Sequence, residues 1–170
     1  MSEPTVSPSA YRATSATGTP FLLRARPLAF LLLLLLGAQF LLGMVTNLFV
    51  QVPTAHPGRD APNYFLGVLQ GLGWAITQGA LFLQLHVLLG LALIIAGGLL
   101  IAVAFRTRAL VWMICAPIGA FGMLGAGFNG ASFLDFPGQD ISSLIMALLA
   151  LGALCCYLLA LYMLPVAATK

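Results

Sequence analysis

Charge is what this sequence most lacks. Its 170 residues hold seven basic and four acidic side chains, so 6% are charged while 61% are hydrophobic. A water-soluble domain of this length carries roughly a quarter charged residues to keep its surface solvated. That shortage excludes an ordinary soluble fold, and the mean hydropathy of +1.06 points to lipid as the solvent. The net charge of +3 comes from cations scattered along the chain, with no basic patch that would hold nucleic acid. Cysteine is scarce too. Cys115, Cys155 and Cys156 all lie in apolar segments, with no C-x-x-C or Cys/His spacing for zinc or thiol redox chemistry. They read as small apolar packing residues. Catalytic signatures are missing as well: there is no Gly-rich phosphate loop and no H-E-x-x-H, and Gly130-Ala131-Ser132-Phe133 lacks the second glycine of a nucleophile elbow. Nothing specifies an enzyme.

Long hydrophobic runs take the place of charge. Four of them, at about 28–50, 80–104, 109–128 and 141–164, are each long enough to cross the roughly 30 Å of a bilayer's hydrocarbon. They predict an all-α membrane protein whose domain, residues 27–165, is a bundle of four transmembrane helices. Residues 1–26 are rich in Ser, Thr, Pro and Ala and read as a disordered cytoplasmic tail. The first run outlasts the roughly 7–15 residues of a signal peptide's apolar region and lacks a small-x-small cleavage site, so it reads as a retained helix. Between the first two runs, Pro53, Pro57 and Pro62 mark a polar loop. The stretch from Tyr64 to Trp74 is apolar but too short to span. With Asn63 placed to cap and Phe65, Leu69 and Leu72 at helical spacing, it predicts an interfacial or re-entrant helix over the bundle mouth, Tyr64 and Trp74 lying at headgroup depth.

Charge placement orients the bundle. Arg12, Arg24 and Arg26 precede the first run, Arg106 and Arg108 lie between the second and third, and Lys170 follows the fourth. The opposite side keeps Arg59, with Asp60, Asp135 and Asp140. The positive-inside rule predicts a multi-pass plasma-membrane protein with both termini in the cytoplasm. Helix packing in lipid relies on close backbone approach, and three stripes of small residues are candidates for it. These are Gly98 and Ala102, then Gly122, Ala126 and Gly130, then Gly152, Cys156 and Ala160. Pro117 predicts a kink in the third helix, since its ring removes a ladder hydrogen bond.

No Asp, Glu, Lys or Arg lies within the four apolar cores, which argues against ion-coupled transport, because coupling calls for an intramembrane ionisable group. The polar residues gather at one end instead. Thr46, Asn47, Gln84, His86, Asn129, Ser142 and Ser143 fall in the outer third, Gln51, His56 and Gln78 lie just above, and Gln39 is nearer mid-membrane. They predict an outward-facing polar pocket with His86, Gln84, Asn47, Asn129 and Ser143 as ligand-binding candidates, joined by His56 from a covering loop. Polar residues that merely mark helix ends near water would give the same distribution. His86, roughly 8–10 Å deep, admits three readings. It is a neutral imidazole bonded across helices to Asn47, Asn129 or Ser143, or a metal or haem ligand, or a protonatable or substrate-binding group. Gly90 and Gly97 near the His86 face would leave space for a flat ring. Met44, Met123 and Met146 lie at similar depth, and imidazole with thioether suits haem b or copper. With one intramembrane histidine, a bis-histidine haem would need His56 or a second chain.

Two resemblances arise from these residues. Gln39-Phe-Leu-Leu-Gly43, a polar outer loop and His86-Val-Leu-Leu-Gly-Leu-Ala resemble one four-helix half of haem A synthase over about a third of the chain. That resemblance implies His86 as a haem ligand. The family's second histidine, its outer-loop acidic residue and its cysteine pair have no counterpart here. Asn47-Leu-Phe-Val, His56-Pro-Gly, Asn63-Tyr-Phe and Gly127-Phe-Asn-Gly-Ala-Ser-Phe-Leu-Asp135 look like an uncharacterised group of small four-helix membrane proteins of high-GC Gram-positive bacteria. This covers most of the chain and implies location and architecture but no activity. The expectation is a non-catalytic accessory or ligand-binding protein in the bilayer, alone, as a homo-oligomer or with other membrane subunits. The alternatives are a haem- or copper-binding protein of the respiratory membrane using His86, and an uncoupled pore or carrier for a small solute.

Overall fold

The computed structural model describes residues 19–135 and 140–163; residues 1–18, with most of the expected tail, and 164–170 lie outside them. Five helices follow in order: α1 (Thr19–Phe49), α2 (Tyr64–Thr77), α3 (Leu81–Thr107), α4 (Leu110–Asp135) and α5 (Asp140–Tyr162). There is no strand among the described residues. Four of the helices, α1, α3, α4 and α5, are long and apolar enough to cross a membrane. The chain is an all-α, multi-pass membrane protein. Side chains such as Leu41, Leu48, Ile95, Leu99 and Phe121 are more than half exposed on the bundle's outer faces. Water would penalise so much contiguous apolar surface, whereas lipid does not.

The helices exceed the apolar runs at several ends. α1 begins at Thr19, within what the composition marks as tail, because a run of Leu, Arg and Ala continues a helix as readily as an apolar block does. Pro20 falls in the first turn, where the missing N–H costs no hydrogen bond. At its far end α4 continues seven residues past the expected Phe128 to Asp135. Its polar side chains there fold back on their own helix: the Asn129 amide donates to the Gly125 carbonyl at 2.9 Å and the Ser132 hydroxyl to the Phe128 carbonyl at 3.1 Å. Apolarity ends before helicity does. α4 also runs unbroken through Pro117.

The four long helices close a square. α1 and α4 each pack on both α3 and α5, and the backbones of the diagonal pairs stay apart, with Tyr157 of α5 reaching across to Gly97 of α3. A two-residue turn, Arg108–Ala109, makes α3 and α4 antiparallel, with Arg108 at φ 56° and the Thr107 hydroxyl donating to Ala104 at 2.7 Å. The half of the bundle nearest this turn is packed solid. Leu32, Leu100, Trp112 and Tyr157 are all but wholly buried there, with Ala29, Ala104, Ala116, Ala153 and Ala160 between them.

The stripes that bring the helices together are not all the expected ones. Gly98 and Gly152 are exposed, and a side chain at either would meet open space. On α3 the buried stripe is Leu93, Gly97, Leu100 and Ala104, and on α5 it is Ala153, Tyr157 and Ala160. The Tyr157 ring decides the choice, since it fills the hollow left jointly by Gly97 of α3 and Gly119 of α4. Of the α4 stripe, Gly122 sits 3.2 Å, measured from an added Cβ, from the Leu149 backbone and Gly130 the same from the Met146 sulfur. Gly130 thus receives a large side chain of α5, whereas Gly122 lies against the α5 backbone beside Ala153.

At the opposite end α2 caps the bundle, resting on α3 and α4. The Asn63 side chain caps it, accepting from the Leu66 N–H at 2.9 Å, as its position predicts. At fourteen residues it is about 21 Å long, too short to span. The face it turns inward is Gly67, Gly71 and Ala75, while Phe65 and Leu69 are exposed. Small residues let its backbone lie close on the bundle, and the larger apolar groups are left for lipid.

Candidate functional site

The bundle is dense at its arginine-turn end and hollow at its α2 end. A cavity of about 290 Å³ lies between all four long helices. Its walls come from 36–47 of α1, 83–94 of α3, 123–134 of α4 and 143–150 of α5, with Val50 and Val52 of the following loop and Val68 and Leu72 of α2. Leu36, Leu93 and Met123 belong both to the cavity wall and to the solid core, so they form its floor. The volume lies at the lower end of the roughly 300–1,000 Å³ typical of small-molecule sites.

The lining corrects the expected polar pocket. Apart from Gln39, Thr46, Asn47, His86 and Ser143, every wall residue is Leu, Ile, Val, Met, Phe, Ala or Gly. Three of those five polar side chains are engaged with neighbours. The Thr46 hydroxyl donates to the Leu42 carbonyl at 2.9 Å, and Phe82 lies within reach at 3.3 Å. The Gln39 amide nitrogen donates to the His86 carbonyl at 3.0 Å and lies 3.4 Å from the His86 ring Nε2. Asn47 and Ser143 make no hydrogen bond to other described residues, which leaves them as the cavity's available polar groups.

His86 and Gln39 are built into a reciprocal crossing. On α1, Gln39 and Gly43 are four residues apart; on α3, so are His86 and Gly90. A Cβ at Gly43 would fall 2.9 Å from the His86 Cε1, and one at Gly90 would fall 3.1 Å from the Gln39 amide nitrogen. Each long polar side chain thus lies over the other helix's glycine. The His86 partner across helices is Gln39, not Asn47, Asn129 or Ser143. Neither glycine hollow is open for a flat ring, since Gln39 covers Gly90 while Met123 and Tyr157 cover Gly97. Of the His86 ring nitrogens, Nε2 faces Gln39, and Nδ1 is buried against Gly43 with no partner among the described residues.

The other candidates divide between cavity and cap. Met44, Met123 and Met146 line the cavity with His86, Asn47 and Ser143. Gln84 and Asn129 do not line it, and Asn129 is satisfied on its own helix. His56 stands apart, in the cap. It is 6% exposed, its Nε2 donates to the Leu134 carbonyl at 3.0 Å, and its ring stacks on Trp74 at 4.9 Å between centroids. Next to it lies Asp135, at 3% exposure, its carboxylate cradled by Gly58, Gly67 and Gly71. Composition could not single out Asp135 as a site residue, because a carboxylate at the end of an apolar run reads as a helix boundary. The signal was the glycine spacing at 67 and 71, legible only once a partner for that face was known. No cluster of three or more His, Cys, Asp or Glu side chains able to hold a metal occurs among the described residues. Neither a family model, nor a curated protein, nor a solved structure matches this chain.

Proposed function

We propose that this protein binds a lipid-like amphiphile in the cavity at the α2 end of its bundle, as a non-catalytic binding or accessory protein of the plasma membrane. One observation carries the reading: the cavity is walled by apolar side chains from four helices and holds two polar groups, Asn47 and Ser143, that make no hydrogen bond to other described residues. Apolar walls favour a hydrocarbon occupant over water, and a few convergent polar groups orient such an occupant by its head. Both residues stand in the half of the bundle farthest from the arginine turn, as the head of a molecule entering from that leaflet would require. The cation distribution favours both termini in the cytoplasm, so the cavity belongs to the outer leaflet. The bilayer is then both solvent and source of ligand. Association with other membrane subunits or with itself is compatible with this role.

The packed floor of Leu36, Leu93 and Met123 above Leu100, Trp112 and Tyr157 speaks against an open pore for a solute. The haem or copper reading draws support from His86, Met44, Met123 and Met146 lining one cavity, but Nε2 of His86 faces Gln39 and Nδ1 is pressed against Gly43. Purification in mild detergent, followed by mass spectrometry of co-purified lipids and an absorption spectrum, separates the readings. We expect one class of amphiphile to be enriched on the protein and lost from Ala147→Trp, which fills the cavity, with no Soret band. No enrichment in the wild-type protein over Ala147→Trp would remove the proposal. A Soret band abolished in His86→Ala would establish the haem reading in its place.

A further inference from the structure

Asp135 poses a problem that the cavity does not solve. The residue ends α4, is 3% exposed, and its Oδ1 has no hydrogen-bond donor among the described residues. A carboxylate at a helix C-terminus also faces the negative end of the helix dipole, and α4 has no basic residue in its last turn. Burying such a charge without a partner is costly, so the site is built for a cation or strong donor. His56 lies close enough to act on the carboxyl electrostatically but makes no hydrogen bond to it: its Nε2 donates to the Leu134 carbonyl, and its Nδ1 has no partner among the described residues. The space for the carboxylate is made deliberately. A Cβ at Gly67 would come within 3.2 Å of Oδ2, one at Gly71 within 2.7 Å of Oδ1, and one at Gly58 closer still.

A second, smaller pocket of about 140 Å³ opens on this carboxylate. Asp135, Gly58 and Gly67 line it together with Ala61, Asn63, Tyr64 and Arg59. Arg59 is exposed and is held through Nη1 by the Thr54 carbonyl, which leaves further N–H groups of its guanidinium for a ligand. One pocket therefore presents a buried anion and an exposed cation that make no ion pair with each other. From this arrangement we infer that it takes a zwitterion, with a primary ammonium donating to Asp135 and an anionic phosphate or carboxylate on Arg59.

The pocket lies at the end of an apolar helix, where bilayer headgroups begin, so the ligand's source is either an aminophospholipid or a soluble amino-acid-like zwitterion. A phosphoethanolamine headgroup has the required order of charges, and its ammonium can donate to the carboxylate. A phosphocholine headgroup carries the same charges, but its quaternary nitrogen has no N–H. This inference does not depend on what fills the larger cavity.

The test uses the full chain in nanodiscs of phosphatidylglycerol doped with either phosphatidylethanolamine or phosphatidylcholine, with bound lipid read by native mass spectrometry. A parallel arm titrates soluble phosphoethanolamine and glycine against the fluorescence of Trp74, which stacks on His56 in the cap. Preferential retention of phosphatidylethanolamine identifies a lipid headgroup, and a saturable response to the soluble compounds identifies a free zwitterion. In either case Asp135→Asn, and separately the exposed Arg59→Gln, should weaken binding about tenfold or more, the effect of one lost charge-assisted hydrogen bond. Arg59→Gln keeps the test valid if Asp135→Asn misfolds. Equal retention of the two lipids with no response to either soluble compound would overturn the inference, as would binding that both substitutions leave unchanged.

Discussion

At the scale of single residues, glycine and its large neighbours decide which surfaces meet. Gly43 and Gly98 are alike in the sequence, each a glycine in a leucine-rich helix. In the bundle they are opposites, since a methyl at Gly43 would press on the His86 ring while one at Gly98 would meet nothing within 4 Å. Gly43→Ala should therefore destabilise the protein by about 1–3 kcal/mol, the usual cost of overpacking a tight contact. Gly98→Ala should stay within about 0.5 kcal/mol of wild type. Thermal unfolding in detergent compares the two directly, and equal midpoints would show that the Gln39–His86 crossing is looser than described. The same crossing explains a polar pair deep in apolar helices. The Gln39 amide nitrogen reaches the His86 carbonyl and ring from α1 to α3, while Gln39 Oε1 and His86 Nδ1 have no partner among the described residues.

At the scale of elements, α2 is the helix most dependent on its ends. Its inward face of Gly67, Gly71 and Ala75 buries little apolar area, so the Asn63 cap carries an unusual share of its stability. Asn63→Ala should cost about 1 kcal/mol locally. Amide hydrogen exchange across α2 should then speed up by roughly fivefold while α3 and α4 hold their protection. Unchanged exchange would mean that packing on α3 and α4 alone secures it. The helix was legible in the sequence through Asn63 and its apolar period. Its orientation was not, because the spacing of Phe65, Leu69 and Leu72 marks an apolar face without saying whether lipid or protein covers it. In lipid the larger apolar side chains can face outward at no cost, so hydrophobicity no longer says which side is inside.

At the scale of the whole molecule, orientation is the property that charge alone addresses. Six of the seven basic residues belong to the tail, the Arg106–Arg108 turn or the C-terminal end. A chain whose native cysteines are replaced by serine, carrying one cysteine at Gln51 or at Arg106, should react with an impermeant thiol reagent from outside the cell only at Gln51. Labelling at Arg106 instead would invert the bundle and put the cavity in the other leaflet. The division of the bundle into a solid half and a hollow half could not be anticipated in this way. Both halves are drawn from the same Leu, Ala and Gly composition. They differ because Tyr157 and Trp112 fill one end, while the other has Gly43, Gly90, Gly127 and Gly130 among its wall residues.

Length and apolarity of four segments determined by themselves that the chain is helical and crosses a membrane, because unpaired backbone groups are too costly in hydrocarbon for any other local structure. Helix ends were blurred where helix-forming residues preceded the apolar run in α1, and where polar side chains bonded to their own backbone in α4. Tertiary structure alone decided which stripes pair, that the pocket is apolar, that His86 is held by Gln39, and that Asp135 is cradled by three glycines. Each of these depends on which side chain meets which glycine across a gap of a few ångströms, and hydropathy carries no such information when every face of every helix is apolar.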